Sequence, residues 1–215
     1  MKKPIAIIAG EPNSISSEII FKSWSLRKKY THKPFLVIGN FNLLNLQKKK
    51  LKYKFKIKKI SNNFSIKDLK TNKLPVLDVN YYQKKPFQKI STKSNKYIFE
   101  SFSLAVQLLK SKKIQGFINC PVHKETLFKK KYNGVTEYLA KKFRVKNNEV
   151  MLIYNKKLAV SPLSTHIPLN KVSSKIKKTE IIKKVLTINN FYKKIIKKKP
   201  KIAILGLNPH NSSAR

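Results

Sequence analysis

Residues 4–10, PIAIIAG, form a continuous apolar run that a glycine closes, which is typical of a central strand in a parallel sheet. Further short apolar runs recur along the chain, and amphipathic stretches typical of helices separate them. The clearest helical stripe lies within residues 91–112, where Ile98, Phe102 and Ala105 fall on one side. Strands that alternate with helices in this way predict an α/β fold, layered around a largely parallel sheet.

The same patterns predict elements along the rest of the chain. Helices are predicted over residues 17–30, 41–50 and 173–199, and strands over residues 35–39, 52–57, 74–79, 115–119, 150–154, 158–161 and 201–207. Residues 52–57 alternate strictly between Lys and apolar residues, which predicts an edge strand with one face in water. Residues 115–119 are predicted to form a buried strand.

The composition excludes several classes of protein. With 215 residues, 41% of them apolar and 27% charged, the chain is long and apolar enough to bury a core. Its single cysteine, Cys120, excludes a disulfide framework and a cysteine-based zinc ribbon. No apolar run approaches the roughly 20 residues that cross a bilayer, and Glu11 interrupts the apolar start. We therefore expect a cytoplasmic protein without a membrane partner.

The net charge of +40 would ordinarily suggest a nucleic-acid partner. However, 46 of the 49 basic residues are Lys, whereas surfaces that recognise phosphate or bases favour the bidentate Arg. The lysines are spread along the whole chain, and AT-rich codons account for an excess of Lys, Ile and Asn. We do not expect a nucleic-acid partner, although the aromatic residues between lysines at 52–59 keep a basic nucleic-acid-binding protein as an alternative.

Polar groups follow four of the predicted strands, at the carboxyl ends where α/β sheets bind ligands. These groups are Gly10-Glu11-Pro12, Pro121-Val122-His123-Lys124, Ser164-Thr165-His166 and Asn208-Pro209-His210.

Two pairs of residues in these groups could carry chemistry. His123 and Lys124 could shuttle a proton or contact an anion, or they could belong to an ordinary polar loop. His166 and His210 could be two metal ligands with a third still to be found. Position alone favours two loop histidines that bond to backbone. Glu11 could act as an acid or serve as a buried partner of a helix cap.

Five segments carry a resemblance to a known family. AGEPNSISSE (9–18), NCPVHK (119–124), NGVTEY (133–138), STHIPL (164–169) and GLNPH (206–210) resemble, in the same order, blocks of the 4-hydroxythreonine-4-phosphate dehydrogenase family. The resemblance implies a fold like that of isocitrate and isopropylmalate dehydrogenases. It also implies a role in pyridoxal phosphate (vitamin B6) biosynthesis, namely the oxidation of 4-phosphooxy-L-threonine to a 2-amino-3-oxo acid that loses CO₂.

The resemblance also implies roles for particular residues. His166 and His210 match the family's metal-binding histidines, with zinc, magnesium or cobalt as the divalent ion, and Thr136 matches a substrate contact. Members of the family are NAD-dependent homodimers whose active site lies at the subunit interface, where a third histidine completes the metal site. The resemblance assigns no NAD-binding residue within this chain.

The chain departs from the family pattern in three places. Val135 stands where the family has a substrate-contacting histidine, and Ser14 and Ser16 stand where it usually has glycines. The third departure is length, because family members continue past this point with the third metal histidine, further substrate-binding residues and much of the cofactor site. Residues 1–215 are thus predicted to be one incomplete α/β unit lacking the carboxyl-terminal portion, with a subdomain boundary near 120–135.

These departures leave three alternatives to the vitamin B6 enzyme. The chain could belong to a dehydrogenase of another phosphorylated hydroxy acid, such as a threonate phosphate, since Val135 alters a substrate contact. It could be a non-catalytic degenerate copy of the enzyme. The basic nucleic-acid-binding protein is the third.

Overall fold

The computed structural model of the chain describes residues 3–30, 34–129, 131–145, 149–165 and 167–208. The chain divides into two compact units, unit 1 over residues 1–134 and unit 2 over residues 135–215. In the described part of the chain, no helix has the length and apolar character needed to span a membrane.

Unit 1 contains a five-stranded parallel sheet. Its strands are β1 (Ile5–Ile8), β2 (Phe35–Gly39), β3 (Ile57–Ile60), β4 (Leu74–Asp78) and β5 (Gly116–Asn119). The strands lie in the order β3-β4-β2-β1-β5, and every neighbouring pair is parallel. The predicted α/β fold with a largely parallel sheet is confirmed.

Helices follow these strands along the chain. They are α1 (Ser16–Tyr30), α2 (Phe41–Lys50), α3 (Ile66–Leu69), α4 (Asn95–Lys110) and α5 (Lys124–Phe128). The start of α2 is fixed by Asn40, whose side-chain oxygen accepts a hydrogen bond from the Leu43 N–H at 2.9 Å. The helices predicted over 17–30, 41–50 and 91–112 correspond to α1, α2 and α4.

The core of unit 1 lies around the two central strands and the aromatic residues of α1. Ala6, Leu36 and Ile38 are completely buried, as is Phe21. The Trp24 ring packs edge-on against Phe35 at 5.3 Å between ring centroids. Continuous apolar sequence in β2 therefore reflects burial on both faces of the sheet, whereas β1 buries only every second residue fully.

The strand predicted over residues 52–57 is wrong, because pairing with β4 begins only at Ile57. The alternation has another cause. Tyr53 and Phe55 pack edge-on against Phe21, with ring centroids 5.5 and 5.6 Å away, while the alternating lysines at 52, 54 and 56 are exposed. A connecting segment that packs every second side chain on the core has the same alternating sequence pattern as an edge strand.

The prediction of a buried strand over residues 115–119 is also wrong in one respect. Strand β5 forms there, but it pairs with β1 alone among the described strands and lies at the edge of the sheet. Its last two residues are exposed, and Ile118 is 58% exposed. Position in the sheet, which the apolar run could not indicate, decides this exposure.

Unit 2 consists of short elements. The described ones are α6 (Val135–Lys142), β6 (Ile153–Tyr154), β7 (Ala159–Val160), α7 (Val172–Lys175) and α8 (Lys178–Phe191). Strands β6 and β7 pair antiparallel, and the Asn155 N–H donates to the Leu158 carbonyl at 3.0 Å across the turn. The strands predicted over residues 150–154 and 158–161 are present but shorter than predicted, and the predicted helical region is present as well.

The strand predicted over residues 201–207 is wrong. Residues 201–206 have no regular secondary structure, and their side chains are exposed, with Ile204 at 65% and Leu205 at 89%. An apolar, β-prone run becomes a strand only where another strand offers hydrogen bonds, and none does so within the described part of unit 2.

Candidate functional site

The loops that follow β1 and β5 meet at the carboxyl end of the sheet. The Glu11 N–H donates to the Pro121 carbonyl at 2.9 Å. Gly10 has a φ of +69°, and a Cβ atom there would lie 2.4 Å from the same carbonyl oxygen. Glycine is therefore required at this position for both conformation and space. Two of the four polar groups predicted at strand ends thus lie side by side.

Glu11 is a buried anchor at this junction. Its carboxylate is only 1% exposed and accepts hydrogen bonds from the Asn13 N–H at 3.1 Å and the Ser94 hydroxyl at 2.9 Å. These bonds join the loop after β1 to the residue before α4. Of the two roles considered for Glu11, the geometry favours the structural one.

Ser14 and Ser16 support the same loop without backbone strain, since neither has a positive φ. The Ser14 hydroxyl donates to the Glu11 carbonyl at 2.8 Å and lies 2.7 Å from the Ser16 hydroxyl. The Ser16 hydroxyl in turn donates to the Pro121 carbonyl at 3.4 Å. Serine in place of the family's glycines therefore adds hydrogen bonds to the loop.

Sequence analysis missed an amide network beside this loop. Asn13 and Gln83 exchange two side-chain hydrogen bonds, at 3.2 and 2.9 Å, across 70 residues of sequence. Gln47 is buried and donates to the Pro12 and Pro86 carbonyls at 2.7 and 2.9 Å. No local pattern distinguishes these amides from surface residues, so the sequence offered no signal for them.

Asp78, at the carboxyl end of β4, was also not predicted, although it lies at a strand end as the four predicted polar groups do. Its carboxylate accepts from the Phe41 N–H at 2.8 Å and from the Lys59 ammonium at 2.6 Å. It follows the apolar run 74–77 directly, which was the available signal.

Burial changes the acid–base properties of two groups in this region. It raises the pKa of the Cys120 thiol to about 11, so this side chain is a neutral thiol at physiological pH. Burial also raises the pKa of Tyr81, and the charge of Glu11 adds to that effect. The Tyr81 ring stacks on Tyr97 with centroids 4.9 Å apart.

His123 caps helix α5. Its Nδ1 atom lies 3.0 Å from the Thr126 hydroxyl and accepts from the Thr126 N–H at 3.4 Å. An accepting Nδ1 places the proton of a neutral imidazole on Nε2. A contact between His123 and a substrate would therefore have to use Nε2. The neighbouring Lys124 side chain is exposed.

Val135 and Thr136 lie in unit 2, in the first turn of α6. Val135 is half-buried, and the Thr136 side chain is exposed. His166 and His210, the two predicted metal ligands, lie outside the described residues. Within the described ranges, no three His, Cys, Asp or Glu side chains come together.

A parallel sheet with polar loops meeting at its carboxyl end defines an α/β protein of the type that binds small molecules at that end. The chain belongs to the family described as pyridoxal phosphate biosynthetic protein PdxA, whose family model matches residues 31–214. The resemblance seen in the sequence is confirmed. The family's members are dehydrogenases, and therefore oxidoreductases.

Individual relatives support this assignment. A 4-hydroxythreonine-4-phosphate dehydrogenase from Aquifex aeolicus is 34% identical over 213 residues, which are 98% of this chain and 64% of the relative. A relative from Oceanobacillus iheyensis, named provisionally as a D-threonate 4-phosphate dehydrogenase, is 29% identical over 97% of this chain and 64% of its own length.

A solved structure confirms the fold. The crystal structure of 4-hydroxythreonine-4-phosphate dehydrogenase from Klebsiella pneumoniae superposes with a TM-score of 0.83 and 22% identity, over 98% of this chain and 65% of that one. The chain thus spans slightly less than two thirds of the length of the relatives that it matches.

Proposed function

We propose that this chain is part of a dehydrogenase that oxidises 4-phosphooxy-L-threonine to a 2-amino-3-oxo acid, which then decarboxylates, in pyridoxal phosphate biosynthesis. The match of residues 31–214 to the PdxA family carries this proposal. Because the chain spans about two thirds of its relatives, we further propose that it is a fragment, active only when a carboxyl-terminal segment completes it.

The proposed reaction needs NAD and a divalent metal. When bound, these groups would accept a hydride from the substrate carbon and polarise its hydroxyl oxygen. Neutral imidazoles of His166 and His210 suit zinc, but two ligands are one fewer than catalytic zinc sites normally have. We propose that the third ligand comes from the missing segment, in a homodimer whose partner subunit borders the site.

Within this chain, Thr136 is the proposed substrate contact. Its exposed hydroxyl, in the first turn of α6, can donate a hydrogen bond to a phosphate or carboxylate oxygen. Val135 cannot donate such a bond where the family has histidine. This lost donor supports the second candidate function, oxidation of a threonate phosphate, which the name of the Oceanobacillus iheyensis relative also favours.

The alternative of a basic nucleic-acid-binding protein has less support than the dehydrogenase. The two aromatic residues that made residues 52–59 attractive for stacking on bases, Tyr53 and Phe55, are both half-buried against Phe21. Rings that pack on the core cannot also serve as platforms for bases.

An activity assay tests the proposal. The chain is extended with the carboxyl-terminal third of the Aquifex aeolicus relative, and NADH formation is followed with 4-phosphooxy-L-threonine and, separately, with D-threonate 4-phosphate. We expect turnover with the first substrate after adding a divalent metal. Stronger turnover with D-threonate 4-phosphate would favour the second candidate function. A folded chimera that is inactive with both substrates would contradict the proposal.

Variants of this chimera test the individual residues. Thr136→Ala is expected to lower kcat/KM roughly 10- to 100-fold, as for a lost hydrogen bond to a charged group. Thr187→Ala is the control, since that hydroxyl donates to the Lys183 carbonyl within α8. His166→Ala should abolish metal binding and turnover. His32→Ala should do neither, because His32 lies in none of the family's blocks.

Val135→His should lower KM if the pocket still fits the original substrate.

A further inference from the structure

In unit 2, Lys184 of helix α8 contacts the segment that follows β7. Its ammonium donates hydrogen bonds to the Pro162 and Leu163 carbonyls, at 3.2 and 2.8 Å. Strand β7 ends at Val160, and residues 161–165 form neither helix nor strand. Backbone carbonyls in such a segment need partners other than those of a strand ladder or a helix. Lys184 therefore satisfies two carbonyls of a segment without regular structure.

The Lys184 side chain does not take the partner that its own helix offers. Glu180 lies four residues earlier on α8, and this order of Glu and Lys is the favourable one for an ion pair along a helix. Both residues are described, yet Glu180 is exposed and forms no ion pair with Lys184. The half-buried Lys184 directs its charged donors to the two carbonyls instead. Hydrogen bonds from a charged donor are stronger than those between neutral groups, which suits an ammonium to holding this segment.

The segment that Lys184 holds leads directly into residues with proposed roles. Residues 164–166 come next in the chain, and the last of them, His166, is a proposed metal ligand. The start of the same segment is held by the Ser161 hydroxyl, which donates to the Met151 carbonyl at 2.8 Å. We propose that Lys184 is a positioning residue, which through its two hydrogen bonds fixes the loop that carries residues 164–166.

This role has a consequence for metal binding. A metal site depends on how firmly the surrounding structure holds the residues that bind the ion, and a lost supporting contact typically lowers metal affinity about 10- to 100-fold. The consequence for the metal rests on the proposed function. The position of the loop does not, because the hydrogen bonds of Lys184 involve only this chain's own backbone.

The test compares Lys184→Met, which keeps a side chain of similar length and removes the donors, with Lys183→Met. Lys183 is the matched control, because it lies on the same helix, is half-buried as well, and its ammonium makes no hydrogen bond to the described residues. In the 215-residue chain, a nitroxide label is attached through Thr165→Cys, at an exposed position of the loop. The native Cys120 is buried and therefore does not compete for the label.

Electron paramagnetic resonance then gives the mobility of the loop. Lys184→Met is expected to shorten the rotational correlation time of the label at residue 165 at least about threefold, whereas Lys183→Met should leave it unchanged. A second label, attached through Asn190→Cys at an exposed position of α8, should respond to neither variant. In the chimera with the Aquifex aeolicus segment, Lys184→Met should weaken Co²⁺ binding about tenfold, measured from the visible absorption of the bound ion.

Three results would overturn the proposal. They are unchanged mobility at residue 165 in Lys184→Met, equal effects of Lys184→Met and Lys183→Met, and loosening at residue 190 as well as at residue 165. The last would mean that Lys184 stabilises unit 2 as a whole. Because the label is read without metal or substrate, a chimera that binds no Co²⁺ while the label at residue 165 responds to Lys184→Met alone would refute the proposed function and leave the positioning role intact.

Discussion

Unit 1 and unit 2 differ sharply in how far they bury their apolar side chains. Unit 1 encloses large residues completely, for example Phe21 and Phe102. In the described part of unit 2, the only apolar residues buried are Tyr138 and Ala140, while Leu205 is almost fully exposed. Both units are rich in Ile and Leu, so composition does not explain the difference.

The contrast shows that unit 1 holds a core of its own, whereas the described part of unit 2 buries almost no apolar side chain. Burial of apolar area is the main favourable term in folding. Unit 1 can therefore be stable by itself, whereas the described elements of unit 2 bury too little apolar area to be stabilised in the same way. Four measurements test this difference between the two units.

Hydrogen exchange should show the largest difference. Amides of α4, whose inner side is buried, are expected to exchange at least about 100-fold more slowly than those of α8, which has no buried residue. Mass spectrometry of peptides from the two helices gives this ratio directly. Equal protection would mean that unit 2 is stabilised by contacts other than burial.

Truncation of a buried side chain should give the second-largest difference between the units. Phe102→Ala is expected to cost about 3–5 kcal/mol in the free energy of unfolding, because it leaves a cavity in a fully buried site. Leu205→Ala should change it by less than about 0.5 kcal/mol. Urea unfolding can be followed by circular dichroism and by the fluorescence of Trp24, the only tryptophan, which reports on unit 1. A large loss in the Leu205 variant would refute the contrast.

Within unit 1, the loop at the carboxyl end of the sheet should tolerate little change. Gly10→Ala forces a Cβ to within 2.4 Å of a backbone oxygen at positive φ, so we expect a loss of about 2–3 kcal/mol. Gly116→Ala is the control, because nothing lies within 4 Å of the added atom. The same urea titration applies, and a neutral Gly10→Ala would show that the two loops separate easily.

The smallest expected effect concerns lysines in left-handed conformation. Lys112, just after α4, has a φ of 58°, and Lys112→Gly should stabilise unit 1 by about 1 kcal/mol. Lys197 in unit 2 has a φ of 61°, and Lys197→Gly should leave the main unfolding transition unchanged. If both variants shift the urea midpoint equally, the two units unfold together.

Much of the fold could be predicted because local pattern and tertiary environment agree. Strands β1, β2 and β4, and helices α1, α2 and α4, all follow from apolar runs and helical stripes. The predictions failed at residues 52–57 and 201–207, and for the burial of β5. In each case the outcome depends on whether a partner strand or the core lies alongside, which a local pattern cannot contain.

The candidate site shows the same division. The rule for strand ends predicted that Gly10-Glu11 and Pro121 lie at one end of the sheet, and they do. It could not predict that Ser94 would bind the Glu11 carboxylate, or that Asn13 would pair with Gln83. Such bonds join residues 70 or more positions apart, and only the folded chain brings them together.

The parallel α/β class and, through the five ordered blocks, the family follow from the sequence alone. Both depend on residue types at short spacing, which can be read along the chain. Only in the folded chain is it settled which strand lies at the open edge of the sheet, and that Glu11 and His123 hold a loop and a helix end in place. These outcomes depend on which distant surfaces meet and which stay exposed, because burial and hydrogen bonding are properties of the assembled fold.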